Sequence, residues 1–124
     1  MKPDMKVQLA GMELANPVIA ASGTFGYGIE FEEIVALDRI GAFVTKGISI
    51  AHLAGHPPTR ILQTAAGMLN AVGLQNIGVD DFIARKLPPL SRYPQCRVIV
   101  NVFGYTEGEY VAVVERLNDA PGIA

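Results

Sequence analysis

Short apolar runs alternate with helical patterns along this chain, and this alternation constrains the fold more than any other feature. Residues 18–21, 42–45 and 97–102 form three such runs. Each is too short for a helix, so each is typical of a buried strand. Residues 30–37 and 79–87 carry helical patterns between the runs. Strands separated by helices predict βαβ units with parallel pairing, because a parallel return needs a long crossover.

Four further local signals complete this pattern. Residues 7–9 and 12–14 flank Ala10-Gly11 and predict a hairpin, positioned to close the bottom of a barrel. Two short extended pieces, 60–62 and 67–69, predict a second hairpin above the sheet. Residues 106–118 predict a helix that opens with a capping box between Thr106 and Glu109. The last four residues resemble the first step of another strand.

Periodicity alone allows either an open doubly wound sheet or a closed (β/α)8 barrel. The first β-to-α turn reads Gly23-Thr24-Phe25-Gly26-Tyr27-Gly28, which lacks the Gly-x-Gly-x-x-Gly order of dinucleotide-binding sheets. A complete barrel needs about 250 residues, and this chain has 124. We therefore expect residues 1–124 to form one incomplete domain, the N-terminal part of a TIM barrel preceded by a short β-hairpin.

Composition narrows the classes of partner. The net charge is −2 and 18% of residues are charged, without a basic cluster, which argues against nucleic acid and anionic membranes. No run of about 18 apolar residues predicts a membrane helix. A single cysteine, Cys96, excludes an internal disulfide framework and fits a reducing compartment, so we expect a cytoplasmic protein.

Polar residues stand where the predicted strands end. Ser22, Lys46 and Asn101 follow the three apolar runs, and in a barrel these ends form one mouth. Lys46 is the most informative, because an unpaired buried charge costs several kcal/mol, roughly, and so requires an anionic partner. Ser22 as a turn residue and Asn101 as a turn cap are the alternatives from residue preference alone.

A loop at residues 67–76 also predicts ligand binding. Asn70 and Asn76 supply amide donors and acceptors, while Gly73 lets the backbone approach a planar molecule closely. The other polar clusters are poorer candidates. His52 and His56 do not lie on a predicted helix, so we expect no metal site; Cys96 precedes a strand on the far side and predicts a structural thiol.

Together, residues 16–28, 44–47 and 67–76 resemble the start of the class 1B dihydroorotate dehydrogenases, and the likeness extends through nearly the whole chain. The resemblance implies an FMN-dependent oxidation of (S)-dihydroorotate to orotate in pyrimidine (UMP) biosynthesis. It implies FMN contacts for Ser22, Lys46, Gly47 and Asn101. Substrate contacts are implied for Lys46 and for the loop residues Asn70, Ala71, Val72, Gly73 and Leu74.

The catalytic base of class 1 enzymes is a cysteine or serine on a loop after the fourth strand. That loop would follow Ala124, so the resemblance places no catalytic base within this chain, and we expect no turnover from residues 1–124 alone. Class 1B further implies a partner subunit with FAD and a [2Fe-2S] cluster that passes electrons to NAD⁺, in a heterotetramer of two copies of each. Phe103 and Ile77 depart from the family pattern.

Two alternatives remain at this point. One is a related flavin barrel, such as the pyrimidine-reducing domain of dihydropyrimidine dehydrogenase, which would share Lys46 and the asparagine loop. The other is a catalytically inactive half-barrel that binds nothing alone, because unpaired strand edges and uncovered apolar faces favour association.

Overall fold

The computed structural model describes residues 3–124, which form a mixed α/β fold. Its centre is a three-stranded parallel sheet of β3 (Ile19–Ala20), β4 (Ala42–Val44) and β7 (Arg97–Ile99), in that order. Two antiparallel hairpins flank it. The first joins β1 (Val7–Leu9) to β2 (Met12–Leu14), and the second joins β5 (Ile61–Thr64) to β6 (Gly67–Asn70).

The first hairpin forms where the sequence predicts it. Ala10 and Gly11 have φ angles of 48° and 84°, and two successive positive φ angles are what a tight hairpin turn between twisted strands needs. Arg97 Nε donates to the Glu13 carbonyl at 3.3 Å, which ties the hairpin to the first residue of β7. The hairpin therefore lies at the amino-terminal end of the sheet.

The parallel sheet is confirmed, although its strands are shorter than predicted. Ala20 pairs with Phe43, and Phe43 pairs with Val98. Beyond the named strands, Ile48 bridges to Val102, and Ile123 bridges to Val98, both parallel. Ile123 thus occupies the place of a fourth parallel strand beside β7, as the sequence predicted for residues 121–124.

The predicted full burial of residues 18–21 is wrong. Val18 is 55% exposed and Ile19 is 37% exposed. β3 is an edge strand of the sheet, with a strand neighbour on one side only among residues 3–124. A strand in this position keeps part of its apolar surface in solvent.

The predicted helix over residues 30–37 is also wrong. The segment instead holds two single-turn 3₁₀ helices, Ile29–Phe31 and Leu37–Arg39. Ala36 between them is extended, with φ −69° and ψ 90°. Phe25 and Phe31 stack with ring centroids 4.7 Å apart, which holds the first turn against the core and leaves Ile34 81% exposed.

The other two helical predictions are confirmed. The first helix runs through α1 (Val79–Asp81), a π-helical turn at Phe82–Lys86, and α2 (Leu87–Leu90), beyond the predicted end at Leu87. The Leu87 N–H donates to the Phe82 carbonyl, the i to i+5 bond of a π turn. Pro88 and Pro89 follow; they have no N–H to donate, and their rings crowd the preceding turn.

Helix α3 (Glu107–Asn118) begins with half of the predicted capping box. Thr106 Oγ1 accepts from the Glu109 N–H at 3.3 Å, as predicted. The Glu109 carboxylate, however, accepts from the Tyr105 N–H at 2.6 Å and not from Thr106. The preceding residue, Gly104, also lies close to this side chain, since a Cβ on Gly104 would lie 2.9 Å from the Glu109 Cβ.

The core lies between the sheet and these helices. Phe43 of β4, Val79 and Phe82 of the first helix and Val113 of α3 have no measurable exposure. The β5–β6 hairpin, predicted as an excursion, is exposed at every residue. None of the helices between residues 3 and 124 has the length and apolarity to cross a membrane.

Gly28 and Gly11 form a matched pair for testing the core packing. Their φ angles are +85° and +84°, but an added Cβ on Gly28 would lie 2.4 Å from Phe43 Cζ, while one on Gly11 would meet nothing within 4 Å. We expect Gly11→Ala to cost about 1 kcal/mol from backbone strain and Gly28→Ala about 2–4 kcal/mol, since overpacking adds to the strain. Urea unfolding measures both; equal losses would contradict this packing.

Cys96 provides a second test. Its thiol is buried at the amino end of β7, and burial raises its pKa from 9.0 to about 11. At pH 8 we therefore expect slow reaction with dithiodipyridine in the folded protein and fast reaction in urea, since the thiolate is the reacting form. A folded-state rate equal to the unfolded rate would show that Cys96 is accessible.

Candidate functional site

The carboxyl ends of the three parallel strands meet at one cavity of about 370 Å³. Backbone hydrogen bonds hold these ends together: Lys46 N donates to the Gly26 carbonyl at 2.7 Å, and Ile48 N donates to the Asn101 carbonyl at 2.8 Å. The cavity is lined by residues from all three strand ends, from one loop and from α3. These are Ser22, Gly23, Lys46, Gly47, Leu74, Gln75, Asn101, Val102, Phe103 and Tyr110.

Ser22 and Asn101 lie in one hydrogen-bond chain on the wall of this cavity. Asn101 Nδ2 donates to Ser22 Oγ at 2.9 Å, and Ser22 Oγ donates to the Thr45 carbonyl at 2.7 Å. The Asn101 backbone N–H in turn donates to Thr45 Oγ1 at 3.1 Å. The structure thus joins two predicted site residues that are 79 positions apart in the sequence.

Lys46 and Gly47 lie beside that chain. No carboxylate within residues 3–124 comes within 4.0 Å of Lys46 Nζ. The five ion pairs of these residues all involve other lysines and arginines. A Cβ on Gly47 would lie 3.7 Å from Asn101 Nδ2 and 3.8 Å from Phe103 Cβ, which are ordinary contacts. Protein packing therefore does not require glycine there, and a larger side chain would take up cavity space.

The predicted substrate loop reaches this cavity only in part. Leu74 lines it, whereas Asn70, Ala71, Val72 and Gly73 do not. Asn70 is the last residue of β6 and is exposed. Gly73, at φ +76°, packs so closely on His56 that a Cβ would lie 2.6 Å from the imidazole Cδ2, and the His56 N–H donates to the Val72 carbonyl at 3.1 Å.

The loop nevertheless offers backbone donors. The N–H groups of Val72, Gly73 and Leu74 find no acceptor among the residues that the structure describes. Leu74 is also one of two non-glycine residues in that range with positive φ, at 54°. Positive φ is uncommon outside glycine and costs of order 1 kcal/mol or more, and such strain concentrates at ligand-binding segments.

Asn76 is not a ligand residue, which corrects the predicted role of its amide. It is 3% exposed, and its Oδ1 accepts from Ser49 N, Ser49 Oγ and Gly78 N at 3.2, 3.0 and 2.9 Å. Its Nδ2 donates to the Leu74 carbonyl at 2.9 Å. The amide oxygen is thus fully occupied within the protein, and the side chain fixes the loop to the segment after β4.

Sequence reasoning missed the aromatic and amide part of the wall. Gln75, Phe103 and Tyr110 line the cavity, and Phe103 packs edge-to-face on Tyr105 with centroids 4.9 Å apart. The signal in the sequence was the density of aromatics from Phe103 to Tyr110, next to a strand end. Phe103 was noted only as a departure from the family pattern.

Other candidate sites are less suited to chemistry. A cavity of about 420 Å³ lies at the opposite, amino-terminal ends of the strands, between Leu87, Cys96 and Ile123. His52 and His56 lie on a non-helical segment, as predicted. Within residues 3–124, no three histidine, cysteine or acidic side chains come together in a way that would hold a metal ion.

The two asparagines of the loop make a further matched test. We expect Asn76→Ala to cost about 2–4 kcal/mol of unfolding free energy, because it leaves buried donors of Ser49 and Gly78 without an acceptor. Asn70→Ala removes an exposed side chain and should stay within about 0.5 kcal/mol. Denaturant unfolding distinguishes them; a neutral Asn76→Ala would mean that this amide does not hold the loop.

Comparison with known proteins supports the resemblance drawn from the sequence. A relative from Pelobacter propionicus, named dihydroorotate dehydrogenase B (NAD(+)), catalytic subunit, is 56% identical over 124 residues, which are 100% of this chain and 40% of the relative. A relative of the same name from Geobacter sulfurreducens is 54% identical over 123 residues, 99% of this chain and 40% of the relative.

One relative carries a different name. The protein from Solibacter usitatus, provisionally named as a dihydroorotate dehydrogenase A (fumarate), is 51% identical over 124 residues, again 100% of this chain and 40% of the relative. The chain thus spans 40% of the length of these curated relatives, and the prediction that it matches a portion of the family's length is confirmed. The family model for dihydroorotate dehydrogenase matches residues 4–123, and the chain therefore belongs to the dihydroorotate dehydrogenase family.

Proposed function

We propose that the protein carrying this chain binds FMN at the carboxyl ends of β3, β4 and β7 and oxidises (S)-dihydroorotate to orotate in pyrimidine biosynthesis. One observation carries the proposal. Ser22, Lys46, Gly47 and Asn101, which the family resemblance assigns to FMN, line a single cavity together. Relatives over the whole chain bear the name of this enzyme.

The chemistry of the cavity suits a flavin. Its volume of about 370 Å³ lies at the lower end of the range for small-molecule sites, about 300–1,000 Å³. Gly47 leaves room for a flat ring, and Ser22 and Asn101 supply polar groups. Lys46 supplies a positive charge, and no carboxylate in the described part of the chain pairs with it. FMN, when bound, accepts the electrons that the substrate gives up.

Each residue then has a defined task. The Lys46 ammonium stabilises negative charge at the ligand edge that it faces, which a preorganised cation does without reorganisation. Asn101 and Ser22 orient the ring by hydrogen bonds. The N–H groups of Val72, Gly73 and Leu74, which find no acceptor between residues 3 and 124, suit the substrate carboxylate, since successive backbone N–H groups in a loop bind anions. Asn70 and Ala71 complete the substrate contacts on the same loop.

The remaining parts of the proposal concern the whole protein. We assign no catalytic base within residues 1–124. We propose a closed (β/α)8 barrel, supported by the sequential strand order and by Ile123 in the next parallel position. The single cysteine favours a reducing, cytoplasmic location.

The names of the relatives point to two different electron acceptors, NAD⁺ and fumarate. Relatives named as an NAD(+) catalytic subunit support a partner subunit, for which we propose FAD and a [2Fe-2S] cluster in a two-plus-two assembly. The name of the Solibacter relative favours fumarate as the acceptor. Dihydroorotate oxidation by the purified protein, assayed with fumarate and with NAD⁺ plus the partner subunit, distinguishes them.

Lys46→Met tests the site directly in the intact protein that carries residues 1–124. We expect it to weaken FMN and orotate binding about tenfold or more, because hydrogen bonds to charged groups contribute about 1.5–3 kcal/mol. Fluorescence titration measures FMN, and the change in flavin absorbance measures orotate. Lys6→Met, which removes an exposed lysine paired with Glu13, is the control and should leave both affinities unchanged. Unaltered binding by Lys46→Met would refute the site.

A further inference from the structure

Thr45 lies behind the cavity wall and contacts two of its polar residues, Ser22 and Asn101. It is fully buried, and it does not line the cavity. Its carbonyl accepts from Ser22 Oγ at 2.7 Å, and its Oγ1 accepts from the Asn101 backbone N–H at 3.1 Å. One residue of the central strand's end thus holds the ends of both neighbouring strands.

The direction of these hydrogen bonds follows from proton counting. Ser22 has one hydroxyl proton, and the Thr45 carbonyl takes it, because a carbonyl oxygen can only accept. Ser22 Oγ must then accept from Asn101, at 2.9 Å, and only Nδ2 of that amide can donate. A flipped amide would set its carbonyl oxygen against an oxygen with no proton left to give.

The opposite end of the Asn101 amide is therefore fixed as well. Oδ1 receives no hydrogen bond from any residue between 3 and 124, and Asn101 lines the cavity. The wall presents this free acceptor in the same cavity as the Lys46 cation. A complementary ligand brings an N–H to Asn101 and a carbonyl or anionic group to Lys46.

We propose that Thr45 is a positioning residue, which acts through Ser22 and Asn101 to present Asn101 Oδ1 to the ligand as an acceptor for an imide N–H. The inference rests on the proposed flavin site and deepens it. The pyrimidine ring of a flavin carries such an imide, with one N–H between two carbonyls. The Thr45 carbonyl determines the direction of the Ser22 hydrogen bond, and the Thr45 hydroxyl holds the Asn101 backbone. Thr45 does not itself touch the ligand.

The first test uses the intact ligand-free protein and NMR of the Asn101 side-chain amide. We expect slowed solvent exchange in the wild type for the Asn101 Nδ2 proton that Ser22 Oγ accepts. This protection from exchange should be lost in Ser22→Ala. It should be reduced in Thr45→Val, because that change leaves the Asn101 backbone N–H without its acceptor. Thr45→Ser keeps the hydroxyl and should behave as the wild type. Fast exchange in the wild type would overturn the hydrogen-bond chain.

The second test compares the affinity for FMN with that for FMN methylated at the imide nitrogen N3. The wild type should prefer FMN about tenfold, the upper range for one lost hydrogen bond. Ser22→Ala should reduce this preference to about twofold. Thr45→Val, which keeps the carbonyl that accepts from Ser22 but loses the hydroxyl that holds the Asn101 backbone, should reduce it to an intermediate value. The double variant should reduce it no further than Ser22→Ala, because both residues act through one amide.

Val98→Ala is the matched control for stability. It truncates a buried residue of β7 away from the cavity, so it should lower the melting temperature while keeping the tenfold preference. An undiminished preference in Thr45→Val, or an equal decrease in Val98→Ala, would overturn the positioning role. If the wild type binds no FMN, the proposed function fails, and the exchange experiment decides the orientation of Asn101 independently.

Discussion

The hydrogen bonds around Thr45 are the constraint on which the candidate site depends. Thr45 lies at the end of the central strand, with a neighbour on each side, and its three polar backbone and side-chain groups reach both neighbours: the N–H donates to the Ile99 carbonyl at 2.9 Å, while the carbonyl and hydroxyl serve Ser22 and Asn101. Buried polar groups cost free energy unless paired. A shift in register between the three strand ends would leave several of these buried polar groups unpaired, so the hydrogen bonds hold the wall in one geometry.

The opposite side of the cavity is built differently. Asn76 and Tyr27 hold the base of the predicted substrate loop against the core. The Asn76 side-chain amide makes hydrogen bonds to Leu74 and Gly78, and the Ile77 N–H donates to the Tyr27 hydroxyl at 3.2 Å. Beyond that base, Leu74 and the β5–β6 hairpin are exposed, and the N–H groups of residues 72–74 find no acceptor within residues 3–124. The wall beside β4 is therefore fixed by buried hydrogen bonds, whereas the facing hairpin and Leu74 are exposed to solvent. Exposed segments with few buried contacts are typically among the less stable parts of a fold.

The sequence predicted the parallel sheet and the grouping of Ser22, Lys46 and Asn101 for one reason. Residues that close neighbouring parallel strands must meet at one edge, so position along the chain determines position in space. The helix predicted over residues 30–37 is wrong because the spacing of apolar residues contains no information on two tertiary features. These are the extended backbone of Ala36 and the stacking of Phe25 on Phe31. The ligand role predicted for Asn76 is wrong because the sequence does not distinguish a loop amide that binds a ligand from one that accepts from three internal donors. Which loop residues reach the cavity depends on tertiary contacts, such as Gly73 on His56, that no local pattern contains.

The most direct measurement is a two-dimensional amide NMR titration of the protein with FMN, since it reports every part of the chain at once. We expect the largest shifts at the N–H groups of Lys46, Gly47 and Asn101 and smaller ones at Leu74. Cys96 and Ile123, at the amino ends of the strands, should not move. Shifts concentrated around Cys96 and Ile123, or no saturable shift at the strand ends, would contradict the assignment of this cavity to the flavin.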